Sequence, residues 1–438
     1  MGYFRVLKYN EMGEQIKGTL MRRSFDEIVK IKPDVERIVE DVRNNGDRAI
    51  LEYLESQWKR RISPAELRVE RSRLKESYDS ISDELRDSLE HMIKNVRKFH
   101  EAQMPEAFQM DVEDGVTAGM FFSPVKRAGL YVPSGKGSFP SVAVMVAVPA
   151  IVAGVKEIAM ASPPVDPSMN IDRATAAVAY MLELNEVYAV GGAHAVAAFA
   201  FGTETIPRVD VIAGPGGPYT FLAKAIVSLY VRTDLPAGPS EGMILSDGNA
   251  DPEVVAWNLL NEAEHGPDSS GIMVTDNLEF ARRVAEIADR LIDELPEPRR
   301  SFMRENTKKY SAIIVFDSLE KAAEFVGEYA PEHLAIESRN AEEIFNRFKD
   351  LLRAGTITFY TPFSAGNYGI GPNSTLPTFG FARSYSGLTV YNFLVSTTTE
   401  KLSRAGWERI KDTVLTLASY EGFPSHYMAM KVSEKRWG

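Results

Sequence analysis

The stretch VYAVGGAHAVAAFAF, residues 187–201, decides the fold class. Residues 187–190 read as a short buried strand, Gly191-Gly192 as a turn, and 193–201 as a helix apolar on every side, which only a buried helix tolerates. The pattern repeats on both flanks. Upstream, the strand AGLYVP (128–133) runs into the glycine-rich loop 134–138 and an apolar helix over 142–154. The strand 157–161 then ends at Ser162-Pro-Pro and is followed by a helix over 174–184. Downstream, the strand 209–213 enters Gly214-Pro-Gly-Gly. Short apolar strands alternating with helices predict a parallel α/β sheet, with glycine loops at the strand C-termini where ligands bind. None of these loops matches G-x-G-x-x-G followed by an acidic residue, so the motifs alone give a phosphate-friendly α/β domain and no more.

Outward from this core, residues 240–380 alternate again. Strands are expected at 243–245, 271–275, 312–316, 334–336 and 356–359, with helices over 277–291, 319–329 and 341–351 between them, which predicts a second α/β domain. The region before residue 127 reads as mostly helical. Over 83–100 a stripe of Leu85, Leu89, Met92, Ile93, Val96 and Phe99 carries His91 and His100, both read as surface or core-edge histidines. A helix over 398–418 and a short tail with His426 complete the chain.

Composition narrows the function classes. With 438 residues, two or more domains are expected. Fifty basic against 61 acidic residues give a net charge of −11, which argues against a general nucleic-acid or anionic-membrane binder. The N-terminal residues lack a signal-peptide core, and the longest apolar run, 142–155, is too short to span a bilayer, so a cytoplasmic protein is expected. The chain has no cysteine. That removes disulfides, iron–sulfur clusters, thiolate metal ligands and a cysteine nucleophile. A metal here must use His, Asp, Glu, Asn, Gln or water, and there are six histidines.

Two constellations carry chemistry. In NEAEHGPDSS (261–270), Glu262 and His265 stand three residues apart on one face of a helix that Asp251-Pro252 starts and Gly266-Pro267 ends. The expected apolar stripe is Val254, Val255, Trp257, Leu259 and Leu260. A carboxylate and an imidazole at this spacing supply half of a four-coordinate zinc site. The same spacing occurs on many solvated helix faces. In YAPEHL (329–334), Glu332 and His333 follow Pro331, which biases the chain toward a loop or a helix start. Such a pair suits acid–base work, and it equally suits a capped helix start with an exposed His.

Taken together, the segments resemble the histidinol dehydrogenase family over nearly the whole chain. The resemblance rests on GLYVPSG (129–135), VGGAHAVAAFAFGTETIPRVD (190–210), IAGPGG (212–217) and LPAGPSE (235–241). It continues in AEHGPDS (263–269), YAPEHL (329–334), SAGNYGIGPNSTLPTFG (364–380) and EGFPSHYMAM (421–430). It implies NAD-dependent oxidation of an amino alcohol, L-histidinol, through the aldehyde to the acid. The implied fold is a pair of incomplete Rossmann-like parallel-sheet domains with small N- and C-terminal extensions, in an intertwined homodimer. The partition that goes with it is 1–25 as an extension, 26–127 with 241–385 as one discontinuous domain, 128–240 as the NAD-binding domain, and 386–438 as a tail completing the partner's site.

By the same resemblance, zinc falls to Glu262, His265, Asn367 and His426, and general acid–base work to Glu332 and His333. Substrate contacts fall to Ser240, Glu262, His265, His333, Asn367, Glu421 and His426, and NAD contacts to Tyr131, His194 and Gly217. Asp268 and Glu264 are expected to support the helix end rather than to ligate. The chain departs from the family at several of these positions. The usual Gln is Glu262 and the usual Asp is Asn367, an exchange that cancels in charge. A family His is Ser374, and a family Gln and Asn at the NAD site are His194 and Gly217. Without cysteine the acid must form from a water-derived hydrate. Two other readings stay open: a dehydrogenase of the same family for another polar alcohol or diol, such as a sulfonated propanediol, and a non-catalytic ligand-binding relative.

Overall fold

The computed structural model describes residues 2–135 and 137–437. Lys136, in the expected glycine-rich loop, lies outside them. Eleven strands build two separate parallel sheets. The first runs in the order Val6–Lys8, Ala312–Val315, Ser270–Thr275, Glu241–Ser246, His333–Glu337, Thr356–Phe359. The second runs Glu186–Ala189, Glu157–Ser162, Arg127–Tyr131, Val211–Ala213, Arg232–Thr233. Every pairing within both is parallel. The strands Glu241–Ser246, Ser270–Thr275 and Ala312–Val315 are buried along their whole length, as a sheet covered on both faces requires.

Apart from the edge strand Val6–Lys8, each sheet starts from an interior strand, Glu241–Ser246 or Arg127–Tyr131, and adds strands first to one side and then to the other. In the second sheet this switch falls between Arg127–Tyr131 and Val211–Ala213. A crevice forms outside the strand C-termini at such a point. Gly214 belongs to it: its φ is +127°, and a Cβ there would stand 2.1 Å from the Tyr131 carbonyl oxygen. Only glycine lets these two strand ends close together.

The structure corrects one expectation, the helix start at 398, and adds two features of the packing. The N-terminal helices Lys32–Asn45, Arg71–Ser80 and Asp83–Ala102 pack on the helices Gly192–Phe201, Arg173–Met181 and Pro140–Val152 of the second sheet, not on the first sheet. Their apolar stripes meet the all-apolar helices that a single sheet face cannot cover. Residues 398–402 extend the strand Leu394–Leu402, and helix begins only at Arg404. The backbone there is claimed by an antiparallel ladder with Val116–Pro124. That ladder, the strand Phe108–Glu113 and the helices Arg404–Tyr420 and Pro424–Val432 form a second unit, residues 104–125 with 394–438. Among the described residues no helix is long and apolar enough to cross a membrane.

Candidate active site

The C-terminal crevice of the second sheet opens onto the N-terminal edge of the first. One cavity there is lined by Ser134 and Pro215–Gly217 from the crevice. Ser240, Glu262, His265, Asp268, Glu332, His333, Asn367 and Ser374 line it from the other side. The second sheet thus offers the strand ends where a parallel sheet ordinarily binds ligands, whereas the first offers the opposite ends.

Each side chain is held by local structure. The helix Pro252–Ala263 starts on Asp251, whose carboxylate accepts from the Glu253 and Val254 amides, with Pro252 in the first turn. Its buried face mixes polar with apolar residues: Asn258 and Glu262 are buried beside Val255 and Leu259, while Val254 and Trp257 are about half exposed. Gly242 permits the approach, since a Cβ on it would lie 3.1 Å from Glu262 Cβ. Asn258 donates to Glu337 Oε1 (2.8 Å) and accepts from the Phe363 amide (3.0 Å). This ties the helix to Phe363–Ala365 and the π-helical turn Gly366–Ile370 that presents Asn367. Such turns often occur at functional sites.

Asn367 Nδ2 donates to Glu262 Oε1 at 2.8 Å, and Asn367 Oδ1 is buried without a partner among the described residues. His265 lies just past the helix end. Its Nδ1 sits 3.1 Å from the Glu262 carbonyl oxygen, which can only accept, so Nδ1 carries the proton and Nε2 keeps its lone pair. A buried carboxylate, an orphaned amide oxygen and an imidazole with its acceptor nitrogen free are a hard and borderline donor set that fits zinc. Among the described residues no three His, Asp or Glu side chains gather as a metal-holding group. Here one donor is an amide.

Glu332 and His333 are both buried. The expected loop or helix start is instead a strand entry, because the Thr356 amide bonds the Glu332 carbonyl (3.1 Å) and starts the ladder. His333 Nε2 lies 3.9 Å from Glu332 Oε1, and Glu332 Oε2 accepts from the Glu241 amide at 2.9 Å. Burial pushes the Glu332 carboxyl well above its usual range, helped by the negative charges of Glu262 and Glu241. Burial also lowers His333, against the pull of Glu262, so its imidazole is neutral near pH 7. For Glu262 burial raises the pKa, but His333, His265 and the Asn367 hydrogen bond outweigh it and keep the carboxylate ionised.

The structure therefore brings together Glu262, His265, Asn367, Glu332, His333, Ser240 and Gly217. Tyr131 and His194 sit outside this lining. The Tyr131 hydroxyl accepts from the Gly192 amide at 3.0 Å, and His194, on the helix Gly192–Phe201, stacks on Tyr53 at 4.0 Å. Glu421 and His426 belong to the second unit. Sequence reasoning gave Asp268 only a supporting role, but it lines the cavity as a third carboxylate. It missed Arg23 altogether. Arg23 pairs with buried Glu241 (3.0 Å) and lies over the Tyr329 ring, directly behind the amide that holds Glu332. An arginine after a surface helix carries no signal of such a role.

The family model described as histidinol dehydrogenase matches residues 21–433. A histidinol dehydrogenase from Synechocystis sp. is 38% identical over 433 residues, covering 98% of this chain and 99% of the relative. A protein named histidinol dehydrogenase homolog, from Rhizobium meliloti, is also 38% identical, over 97% of this chain and 93% of its own length. The crystal structure of histidinol dehydrogenase from Elizabethkingia anophelis superimposes with a TM-score of 0.89 at 31% identity, covering 100% of this chain and 99% of that one. This chain belongs to the histidinol dehydrogenase family.

Proposed function

We propose that this chain oxidises L-histidinol through the aldehyde to L-histidine with NAD, as a cytoplasmic homodimer with zinc at Glu262, His265 and Asn367 and with His426 of the second unit as the remaining ligand. The observation that carries the reading is the charge of the cavity. It is lined by Glu262, Asp268 and Glu332, and by no Lys or Arg among its described residues, around a buried Glu–His pair. Such a lining favours a cationic amino alcohol. It disfavours a sulfonated diol, whose anion would be desolvated beside carboxylates.

When bound, zinc supplies an electrophilic anchor for the substrate's nitrogens, and NAD supplies the hydride acceptor. The protein's own groups move the protons. Neutral His333 takes the alcohol proton as hydride leaves the carbinol carbon. Glu332, its carboxyl pushed well above the usual range by burial, acts in its ionised form and accepts a proton from the water that adds to the aldehyde, while the carbonyl oxygen takes back the proton held by His333 to complete the hydrate. The hydrate loses a second hydride and a proton to give the carboxylic acid. No cysteine is present to form a thiohemiacetal, so water is the required nucleophile. NAD would be held by Tyr131, His194 and Gly217, of which Gly217 lines the same cavity as this pair.

The test is NADH formation from L-histidinol, with and without added zinc. Two NADH per histidinol, with histidine as product, is expected. One NADH with aldehyde accumulating would end the four-electron reading, and no NADH with histidinol but turnover of a neutral diol would favour a different alcohol.

A further inference from the structure

The main cavity has a branch. A second cavity of about 180 Å³ adjoins it, and His333, Asn367 and Ser374 line both. This is room for a substituent of several heavy atoms. Its far wall is the strand Thr356–Phe359 with Thr361. The loop carrying Ser374 is rigidly placed. The preceding Asn373 is buried, its Nδ2 donates to the Met145 carbonyl (2.6 Å), and its Oδ1 accepts from the Thr375 amide (2.9 Å). A longer side chain at 374 would therefore stand in the junction, with no freedom of the loop to swing it away. Beyond the residues it shares with the main cavity, the branch is lined by Thr356, Thr358 and Thr361 on one hand and by apolar residues such as Ile357, Phe363 and Ile370 on the other. No Lys, Arg, Asp or Glu lines it among its described residues. A charged group entering it would lose its hydration without gaining a partner.

We propose that this branch is a substrate subsite for an uncharged, hydroxyl-bearing substituent, and that Ser374 sets specificity by keeping its entrance open. The inference rests on the reading that Glu332 and His333 act on an amino alcohol in the main cavity. The chain then accepts amino alcohols larger than histidinol in one direction only, toward the Thr356–Phe359 strand.

The experiment compares L-histidinol with an analogue bearing a hydroxymethyl group on the ring, using the full-length enzyme with zinc and NAD. The variants are Ser374→Leu, which fills the junction, and Ser374→Ala, which keeps it open. Both kcat/KM and calorimetric affinity are measured. The expected result is a fall of roughly 10- to 200-fold in the analogue-to-histidinol ratio for Ser374→Leu, with the ratio kept in Ser374→Ala. An unchanged ratio in Ser374→Leu, or an analogue that the parent enzyme neither binds nor oxidises, overturns the subsite. If no NADH forms from either compound while affinity still discriminates through residue 374, the subsite stands and the dehydrogenase reading fails.

Discussion

At the scale of single residues, the site separates two carboxylates by their surroundings. Glu262 is kept ionised by its histidine and amide neighbours, while Glu332 is pushed up by burial and by like charges. One is suited to holding a cation and the other to passing protons. Glu332→Gln should lower kcat by about 100- to 10,000-fold. It should also remove the acid limb of the pH–rate profile, which in the parent lies well above the ordinary carboxylate range. A limb that survives in the variant assigns it to another group. The exchange of Glu262 for an amide, paired with Asn367 for a carboxylate, makes a sharper claim about metal. The parent is expected to purify with zinc, and Glu262→Gln to lose it, because that variant leaves the donor set without any carboxylate. Metal analysis by mass spectrometry reads this directly, and zinc gained by Glu262→Gln would show that Glu262 is not a carboxylate ligand.

At the scale of elements, the reacting pair depends on how strand and helix ends are pinned. Gly355 lies where a Cβ would come within 2.6 Å of the Glu332 carbonyl oxygen, a backbone atom that already bonds the Thr356 amide. Gly355→Ala should cost about 1–3 kcal/mol of stability, as overpacking does. It should lower kcat more than it raises KM, since the strand entry carrying Glu332 must move; chemical denaturation and steady-state kinetics check both. The elements also show how much of the site the sequence disclosed. The Asp251-Pro252 helix start was legible because capping is local chemistry. The face of that helix was not: periodicity assumes an apolar buried side, whereas here Asn258 and Glu262 go inward and Trp257 stays about half exposed. Glu332-His333 read as loop or helix start because Pro331 speaks only for itself, while the ladder with Thr356 is fixed by residues far along the chain. The strand Leu394–Leu402 was hidden for the same reason, its partner lying almost three hundred residues away. The alternation of apolar strands with glycine turns was legible, because burial on both faces leaves its mark on the central strands.

At the scale of the whole molecule, stability follows from groups the fold encloses and assembly from apolar surface it leaves open. His194 is buried against Tyr53, and its pKa is lowered to about 4 by loss of hydration; buried His100 shifts in the same direction. Their folded values lie below the unfolded value near 6.5, so the unfolded chain binds protons first. The stability is therefore complete above about pH 6.5 and is lost as pH falls toward 4, by roughly 3 kcal/mol for His194. Thermal melts from pH 7 to 4.5 should show His194→Gln declining less than the parent. The second unit raises the remaining question, because its sheet is thin. The strand Phe108–Glu113 is exposed throughout, and Phe108, Met110 and Val112 are each more than half exposed. The strand Leu394–Leu402 is exposed over most of its length, and on the helices beyond it Leu417, Tyr420 and Phe423 are also open. Apolar surface of this extent on a small unit marks an interaction site. A second copy of the chain is the proposed cover, since Glu421 and His426 lie in the same unit and the first unit's donor set has room for one more ligand. Light scattering should give a dimer for the parent. Met110→Asp combined with Val112→Asp should give monomers that lose both zinc and histidinol oxidation. Monomers with full activity would show that each chain completes its own site, and a variant that stays dimeric would move the interface off this sheet.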